Sequence, residues 1–436
     1  MTENQLKNIN KKPTTIELVN KNLAKRHRAE IRFRAYGIAA ILFGLACLVI
    51  LFTDIISKGH SAFLQTYIYL EVNFDEDTLE ISDPANAQQL AIADYQGIIK
   101  KSLRNKYRDA KSRKERRSLY ALVSNGAGFS LRTMLENDPS LLNQSVGVWF
   151  LADDDVDTYI KSRSADGKEA FTGRLSEKQM TWIDSLLADQ HIEKRINSYF
   201  FTSGDSREPE QAGILGAIMG SLFTLLVTIA LSFPIGVAAA VYLEEYAPNN
   251  RFTDFIEINI NNLAAVPSII FGLLGLAIFI GYFEMHRSLP LVGGLVLTLM
   301  TLPTIIISSR AAIKSVPPSI RDAALGLGAS KMQVVMHHVL PLAMPGMLTG
   351  AIIGFAQALG ETAPLLMIGM VAFIVDVPGG VTDPATALPV QIFLWSDSPE
   401  RAFVERTSAA IMVLLAFLIS MNTLAIWLRK RLEIRW

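Results

Sequence analysis

A helix that crosses a membrane needs about 20 mostly apolar residues. Six stretches of this chain approach or pass that length: 36–52, 213–243, 263–283, 289–309, 344–374 and 407–428. The second and fifth are long enough to tilt, or to continue as helix beyond the hydrocarbon. Pro234 and Pro267 fall in two of these stretches. Each kinks or breaks its helix unless neighbouring groups satisfy the carbonyl it frees. Between the first two stretches, 57–212 is polar. There 66–74 alternates with the period of a strand, Leu79-Glu80-Ile81 continues the alternation, and 98–122 reads as one basic helix. The pattern predicts an α-helical integral membrane protein of six transmembrane helices, with a mixed α/β domain inserted after the first.

Lys and Arg collect on the cytoplasmic side of membrane proteins. Lys21, Lys25, Arg26, Arg28, Arg32 and Arg34 precede the first stretch, and Arg429, Lys430, Arg431 and Arg435 follow the last. Arg310, Lys314, Arg321 and Lys331 follow the fourth. An even number of spans puts all three groups in the cytoplasm of a bacterial inner membrane protein, with both termini inside and 55–212 outside. The acidic loop 376–405 then falls outside as well. One loop runs against the trend: Glu244, Glu245, Asp254 and Glu257 face a single Arg251 on the cytoplasmic side.

Half of the residues are apolar, as spans joined by a soluble portion require. Forty-one basic residues balance 41 acidic ones, so no whole-chain nucleic-acid footprint exists. The single cysteine, Cys47, forms no internal disulfide and reads as a small packing residue. The first apolar stretch lacks a small-residue cleavage site and reads as a retained anchor.

No G-x-x-x-x-G-K-[ST] phosphate loop occurs; the pair Gly167-Lys168 precedes Glu169. The chain therefore has no visible means of hydrolysing ATP, and no catalytic residue, cofactor or metal is expected. His337 and His338 are adjacent and diverge on a helix. Asp153-Asp154-Asp155 with Asp157 lacks the glycine and distal glutamate of a calcium loop, and reads as a solvated acidic turn. Any energy must come from a partner or a gradient.

The polar segment 311–341 is suited to receive it. Ser315-Val-Pro-Pro-Ser319 interrupts the preceding helix. Ser319 is a candidate N-cap, with Asp322 in the first turn where a carboxylate favours the helix dipole. Ala323 and Ala324 are small enough for a partner surface to approach. Gly326 and Gly328 break the helix, and a second one starts at Ser330 and runs to Leu340-Pro341. By spacing alone the segment suits a groove on a partner or a solvated connector equally.

Asp322-Ala-Ala, three residues, Gly328, nine residues, His338-Val-Leu-Pro341 resembles the E-A-A-x3-G-x9-I-x-L-P loop of ABC-importer permeases, with Asp for Glu and His for Ile. Further segments resemble the phosphate permeases of that class, the PstA family. These are Ala265-Val-Pro-Ser-Ile-Ile-Phe-Gly-Leu-Leu-Gly275, Gly346-Met-Leu-Thr-Gly350, Gly360-Glu-Thr-Ala-Pro-Leu-Leu366 and Leu388-Pro-Val-Gln-Ile392. The likeness runs from Gly213 onward, and 55–212 is a lengthening that the usual short version lacks. It implies the fold of a type I ABC-importer permease and a heteromeric complex. A second homologous permease subunit, a cytoplasmic ABC ATPase dimer and an extracytoplasmic phosphate-binding protein would complete that complex in the membrane lipid. Asp322, Ala323, Ala324, Gly328, Leu340 and Pro341 would couple ATPase closure to the spans.

The resemblance also bears on the path through the membrane. The family usually shows Arg at the position of Gln357, and often Arg at Ile307 with an acid at Arg310. Arg310, Gln357, Glu361 and Thr362 are therefore candidates to line or tune the path, with Glu361 well inside the fifth span and Gln357 sharing its face. The plain alternatives are that Arg310 reaches the headgroups and that Glu361 braces the bundle through Thr362 or a neighbouring helix.

The expected organisation is a basic cytoplasmic tail (1–35), a first transmembrane helix (36–54), an extracytoplasmic domain (55–212), a five-helix permease core (213–428) with its coupling loop at 311–341, and a basic tail (429–436). Import of another oxyanion (sulfate, molybdate or phosphonate), ion-coupled carriage and membrane-anchored sensing are the competing functions.

Overall fold

The computed structural model describes residues 15–81, 86–166 and 174–432. The start of the N-terminal tail, the pair Gly167-Lys168 and Arg435 lie outside them. The chain divides into two units, 1–57 and 58–436.

The first unit holds most of helix α1 (Thr15–Gly59), which extends the expected span in both directions. Its side chains are exposed from 25 to 54. Cys47 is exposed too, not packed as expected.

In the second unit the polar region folds around a three-stranded antiparallel sheet in the order β2–β1–β3. β1 (Leu64–Asn73) is the centre strand, and its alternation sends Ile68, Leu70 and Val72 into a core where they are at most 2% exposed. Helices α2 (Tyr95–Lys106), α3 (Arg113–Tyr120) and α4 (Ala127–Asn137) follow. Then come β2 (Ser145–Leu151), α5 (Asp154–Asp166), α6 (Glu177–Ala188) and β3 (Ile192–Ile196). Leu103, Leu131, Phe150 and Ile183 close this core against β1.

Two local expectations fail. Residues 79–81 are not strand: a helical turn occupies Glu76–Leu79, Glu80 takes a left-handed φ of 55°, and Leu79 and Ile81 are apolar anchors in the core. The basic helix 98–122 is two helices. Tyr107 turns inward and donates its hydroxyl to Trp182 O (3.1 Å), and Ser112 and Glu115 then form a capping box that starts α3.

The helical body begins with α7 (Leu215–Val241), which passes through Pro234 and ends in a π-turn, Tyr242–Tyr246. Helix α8 (Arg251–Ala264) comes next and α9 starts at Ser268. Pro267 breaks the chain between them, and the two axes bend by 101°. α9 with its π-turn reaches Tyr282. Its 15 residues extend about 22 Å, short of a hydrocarbon core of about 30 Å. The third expected span is therefore a broken pair, and among the described residues five helices are long and apolar enough to cross alone.

α10 (Pro290–Lys314) is the central helix: 56% of its most apolar stretch is buried, against 28% for α7. A short helix α11 (Pro318–Gly326) follows. α12 (Lys331–Val334) runs through a π-turn into α13 (Leu340–Gly360) without a stop at Leu340-Pro341. α13 lies close on α10, because a Cβ on Gly346 would come within 2.7 Å of Ala312 Cβ and one on Gly350 would overlap Ser308. The expected span 344–374 ends fourteen residues early, at Gly360. A five-residue helix α14 (Ala363–Met367), Gly369 at φ 87° and a loop follow, then α15 (Leu388–Ser396) and α16 (Ala402–Leu432).

Candidate functional site

The loop between α10 and α13 carries the residues singled out for coupling. Pro318, whose preset φ and missing N–H suit a first helical position, opens α11 after Pro317. Ser319 is thus inside the helix and is not its cap, and Asp322 lies beyond the first turn. Asp322 and Ala323 are exposed, with Leu325 and Leu327 beside them at 46% and 90% exposure. Ala324 turns the other way: it is 5% exposed and packs with Val334 and Val339 in the body's core. Gly328 at φ 86° makes the turn, and Ser330 caps the next helix in a capping box with Gln333. His337 and His338 are exposed on the π-turn, and Leu340 and Pro341 are half-buried at the start of α13.

Beneath this loop the structure gathers charges that sequence reasoning noticed only as an anomaly. Arg310, on α10, donates from Nη2 to Glu257 Oε1 (2.6 Å) and from Nε to Glu244 Oε2 (3.4 Å). Arg321, on α11, donates from Nη2 and Nε to Glu245 Oε1 (2.7 and 3.1 Å). It also donates to the carbonyls of Val316 (2.7 Å) and Ile313 (3.0 Å). The acidic loop that dissents from the charge rule is the internal partner of these two arginines.

The four path candidates do not form one cluster. Arg310 is held by its two carboxylates. Gln357 is exposed on α13. Glu361 is the residue that ends α13, at ψ 126°, so it is not well inside a span and does not share a helical face with Gln357. Thr362 precedes α14, and both it and Glu361 are half-buried. Gly272 of α9 lies so close to this segment that a Cβ there would come within 2.7 Å of Pro364 Cα.

A second acidic group lies where the α/β domain meets the helical body, and it is not a solvated turn. The carboxylates of Asp153, Asp154 and Asp155 come within 4.8 Å of one another and are half-buried. Asp157 is 8% exposed, accepts the Thr66 N–H (3.0 Å) and pairs with Lys161 (2.6 Å), which also reaches Glu405 (2.8 Å). Glu210, 3% exposed, accepts Ser124 Oγ–H (2.5 Å), and its main-chain carbonyl accepts from Gln65 Nε2. Burial, then the charges of Asp154 and Glu210, push Asp153 up to about 8. Burial, then Asp154 and Glu208, push Glu210 up to about 7. These groups stand as crowded carboxyls beneath the α/β domain.

A family model described as "Binding-protein-dependent transport system inner membrane component" matches 232–436, and one described as "Domain of unknown function (DUF3333)" matches 20–169. The phosphate transport system permease protein PstA of Haemophilus influenzae is 30% identical over 243 residues, 56% of this chain and 84% of that protein. PstA 1 of Mycobacterium tuberculosis strain H37Rv is 30% identical over 51% of this chain and 71% of that protein. The probable ABC transporter permease YqgI of Bacillus subtilis is 35% identical, but the match covers 39% of this chain and 58% of that protein. Among solved structures, the inward-facing MetNI methionine ABC transporter aligns at 18% identity over 50% of this chain and 96% of that one. Its TM-score is 0.41.

Proposed function

Because the chain belongs to the binding-protein-dependent transport system inner membrane components, in the branch of the phosphate permease PstA, we propose that it is the transmembrane permease subunit of an ATP-driven importer of inorganic phosphate. Its partners in this reading are a second permease subunit, a cytoplasmic ABC ATPase dimer and an extracytoplasmic phosphate-binding protein. The carrying observation is α11. It is a short, exposed helix with Asp322 and Ala323 outward, fixed on its inner side to the ends of two long helices. A helix so presented fits a groove on a partner and transmits its movement.

The topology proposed is cytoplasmic termini with the α/β domain outside. In support, Asp205 N–H donates to Ile374 O (3.2 Å) and Trp395 Nε1 donates to Asp205 (2.9 Å). The α/β domain thus meets the 361–401 segment at the end of α7 opposite to α11. Exposed Asp322 is the coupling contact, Leu340 and Pro341 seat the loop on α13, and Gln357, Glu361 and Thr362 border the path.

The test is uptake of radiolabelled phosphate into vesicles holding the complete complex, with each component omitted in turn and Asp322→Lys alongside. ATP-dependent uptake that disappears with any omission and with Asp322→Lys is expected. Uptake without the ATPase would overturn the reading in favour of a carrier, and an assembled complex that moves another oxyanion but not phosphate would correct the substrate.

A further inference from the structure

α11 is nine residues long and hangs between two short connectors. On one side Ser315-Val-Pro317 leads in from α10; on the other Leu327-Gly328-Ala329 leads out, with Gly328 in the left-handed region. Its inward face offers Ala324 and Ile320 to the core. A load applied to Asp322 and Ala323 would pivot so lightly packed a helix about its connectors unless something locked it.

Arg321 provides the lock. Its guanidinium donates to the carbonyls of Ile313, in the last turn of α10, and of Val316, in the connector, and it pairs with Glu245 in the π-turn that ends α7. Eleven residues earlier, Arg310 joins α10 to the neighbouring Glu244 and to Glu257 on α8. The π-turn of Tyr242–Tyr246 sets Glu244 and Glu245 so that each meets a different arginine. The five side chains are 13–34% exposed, so these pairs are sheltered from the screening that weakens surface pairs.

We propose that the Arg321–Glu245 pair, backed by Glu244–Arg310–Glu257, is the strut that carries displacement of α11 into α7, α8 and α10. Glu245, Arg321 and Arg310 are positioning residues for transport. They touch neither phosphate nor nucleotide. The inference rests on the reading of the chain as an importer permease.

The experiment measures phosphate uptake and ATP hydrolysis in the same vesicles, for the wild-type complex and for Glu245→Gln, Glu245→Ala, Arg321→Ala and the Glu245→Ala/Arg321→Ala double variant. Glu245→Gln keeps the shape and an oxygen at the position that accepts from Arg321 while removing the charge, so it guards against failure to fold. Phosphate moved per ATP should fall about tenfold in Arg321→Ala and Glu245→Ala, the scale of one forked charge-assisted contact. The double variant should fall no further than the worse single one, because both remove one contact. Glu245→Gln should fall less than Glu245→Ala. A structural role alone would lower uptake and hydrolysis together and leave their ratio unchanged, and that result overturns the strut. So does an additive double variant. A wild-type complex without ATP-dependent uptake overturns the importer reading and the strut with it.

Discussion

Glu210→Gln should stabilise the joint between the α/β domain and the helical body at pH 8 and leave it nearly unchanged at pH 5. Burial and two neighbouring acids hold the Glu210 carboxyl at about 7, against an ordinary value of 4.5. The folded chain therefore binds this proton more tightly than the unfolded chain does. The contribution to stability is fully present below 4.5 and is lost as pH rises through 7. The shift corresponds to about 3 kcal/mol, most of it lost between pH 5 and pH 8. Asp153, raised to about 8, acts with the same sign. Asp154 and Glu208 oppose ionisation of Glu210, and Asp154 and Glu210 oppose that of Asp153. Arg406, buried on α16, donates to Ala212 O (2.8 Å) close by.

Glutamine keeps an oxygen for Ser124 and cannot ionise, so the wild-type penalty at pH 8 is absent in the variant. Hydrogen–deuterium exchange of 122–127 and 208–214 in the full chain, held in nanodiscs and corrected for the intrinsic rate, reads the difference. Protection in wild type should fall from pH 6 to pH 8 and stay flatter in Glu210→Gln. Equal slopes, or wild-type protection that rises with pH, would refute the reasoning.

Lys161→Met strips Asp157 and Glu405 of a shared cation that is itself only 12% exposed, and should destabilise the chain by about 3 kcal/mol in a thermal melt. Gly350→Val drives its side chain into Ser308 and should lower the melting temperature more than Gly346→Ala, which meets only the Ala312 methyl. Ser330→Ala removes a capping box and should speed amide exchange over 331–335, for a loss of about 1 kcal/mol.

The parts of the architecture that local chemistry dictates are legible in the amino-acid sequence. Strand β1 announces itself by alternation, the break at Pro267 by the missing N–H, and the turn at Gly328 and the start at Ser330 by residues suited to those positions. Hydropathy fails where an apolar run outlasts its helix. The residues after Gly360 stay apolar through Ile374, so composition cannot separate a long span from a span followed by a short helix, and Glu361 is misplaced. Charge runs fail for a different reason. Asp153 and Asp154 look solvated because their cover comes from afar: the Ser124–Glu210 bond beside them closes across 86 residues. Likewise Glu244 and Glu245 meet their arginines 66 and 76 residues away. The surplus of acid over base in 244–257 is the one available signal that partners are needed.

The same long-range packing decides how the α/β domain can be removed. Its rim is part of the helical body: Ala62 and Phe200 share a core with Ala212, Ile214, Leu388, Trp395 and Phe403. Asn197 ties that rim together, donating to Ala62 O (2.9 Å) and accepting the Phe200 N–H (3.0 Å). Excision of 57–205 takes Phe200 out and leaves Trp395 and Phe403 without cover, a loss of the order of 3–5 kcal/mol. The sheet register offers a gentler cut. Just beyond the Ile68–Ile192 pair of antiparallel β1 and β3, Tyr69 N–H donates to His191 O (2.8 Å), and a two-residue Asn-Gly turn closes a hydrogen-bonded pair of this kind. Replacing 70–190 by Asn-Gly should preserve membrane abundance and melting temperature far better than excising 57–205. If the two shortened chains lose abundance equally, the rim does not belong to the body's core and the argument fails. If the shorter excision is stable, its phosphate uptake in the assembled complex reports on the domain itself, free of damage to the helices that carry transport.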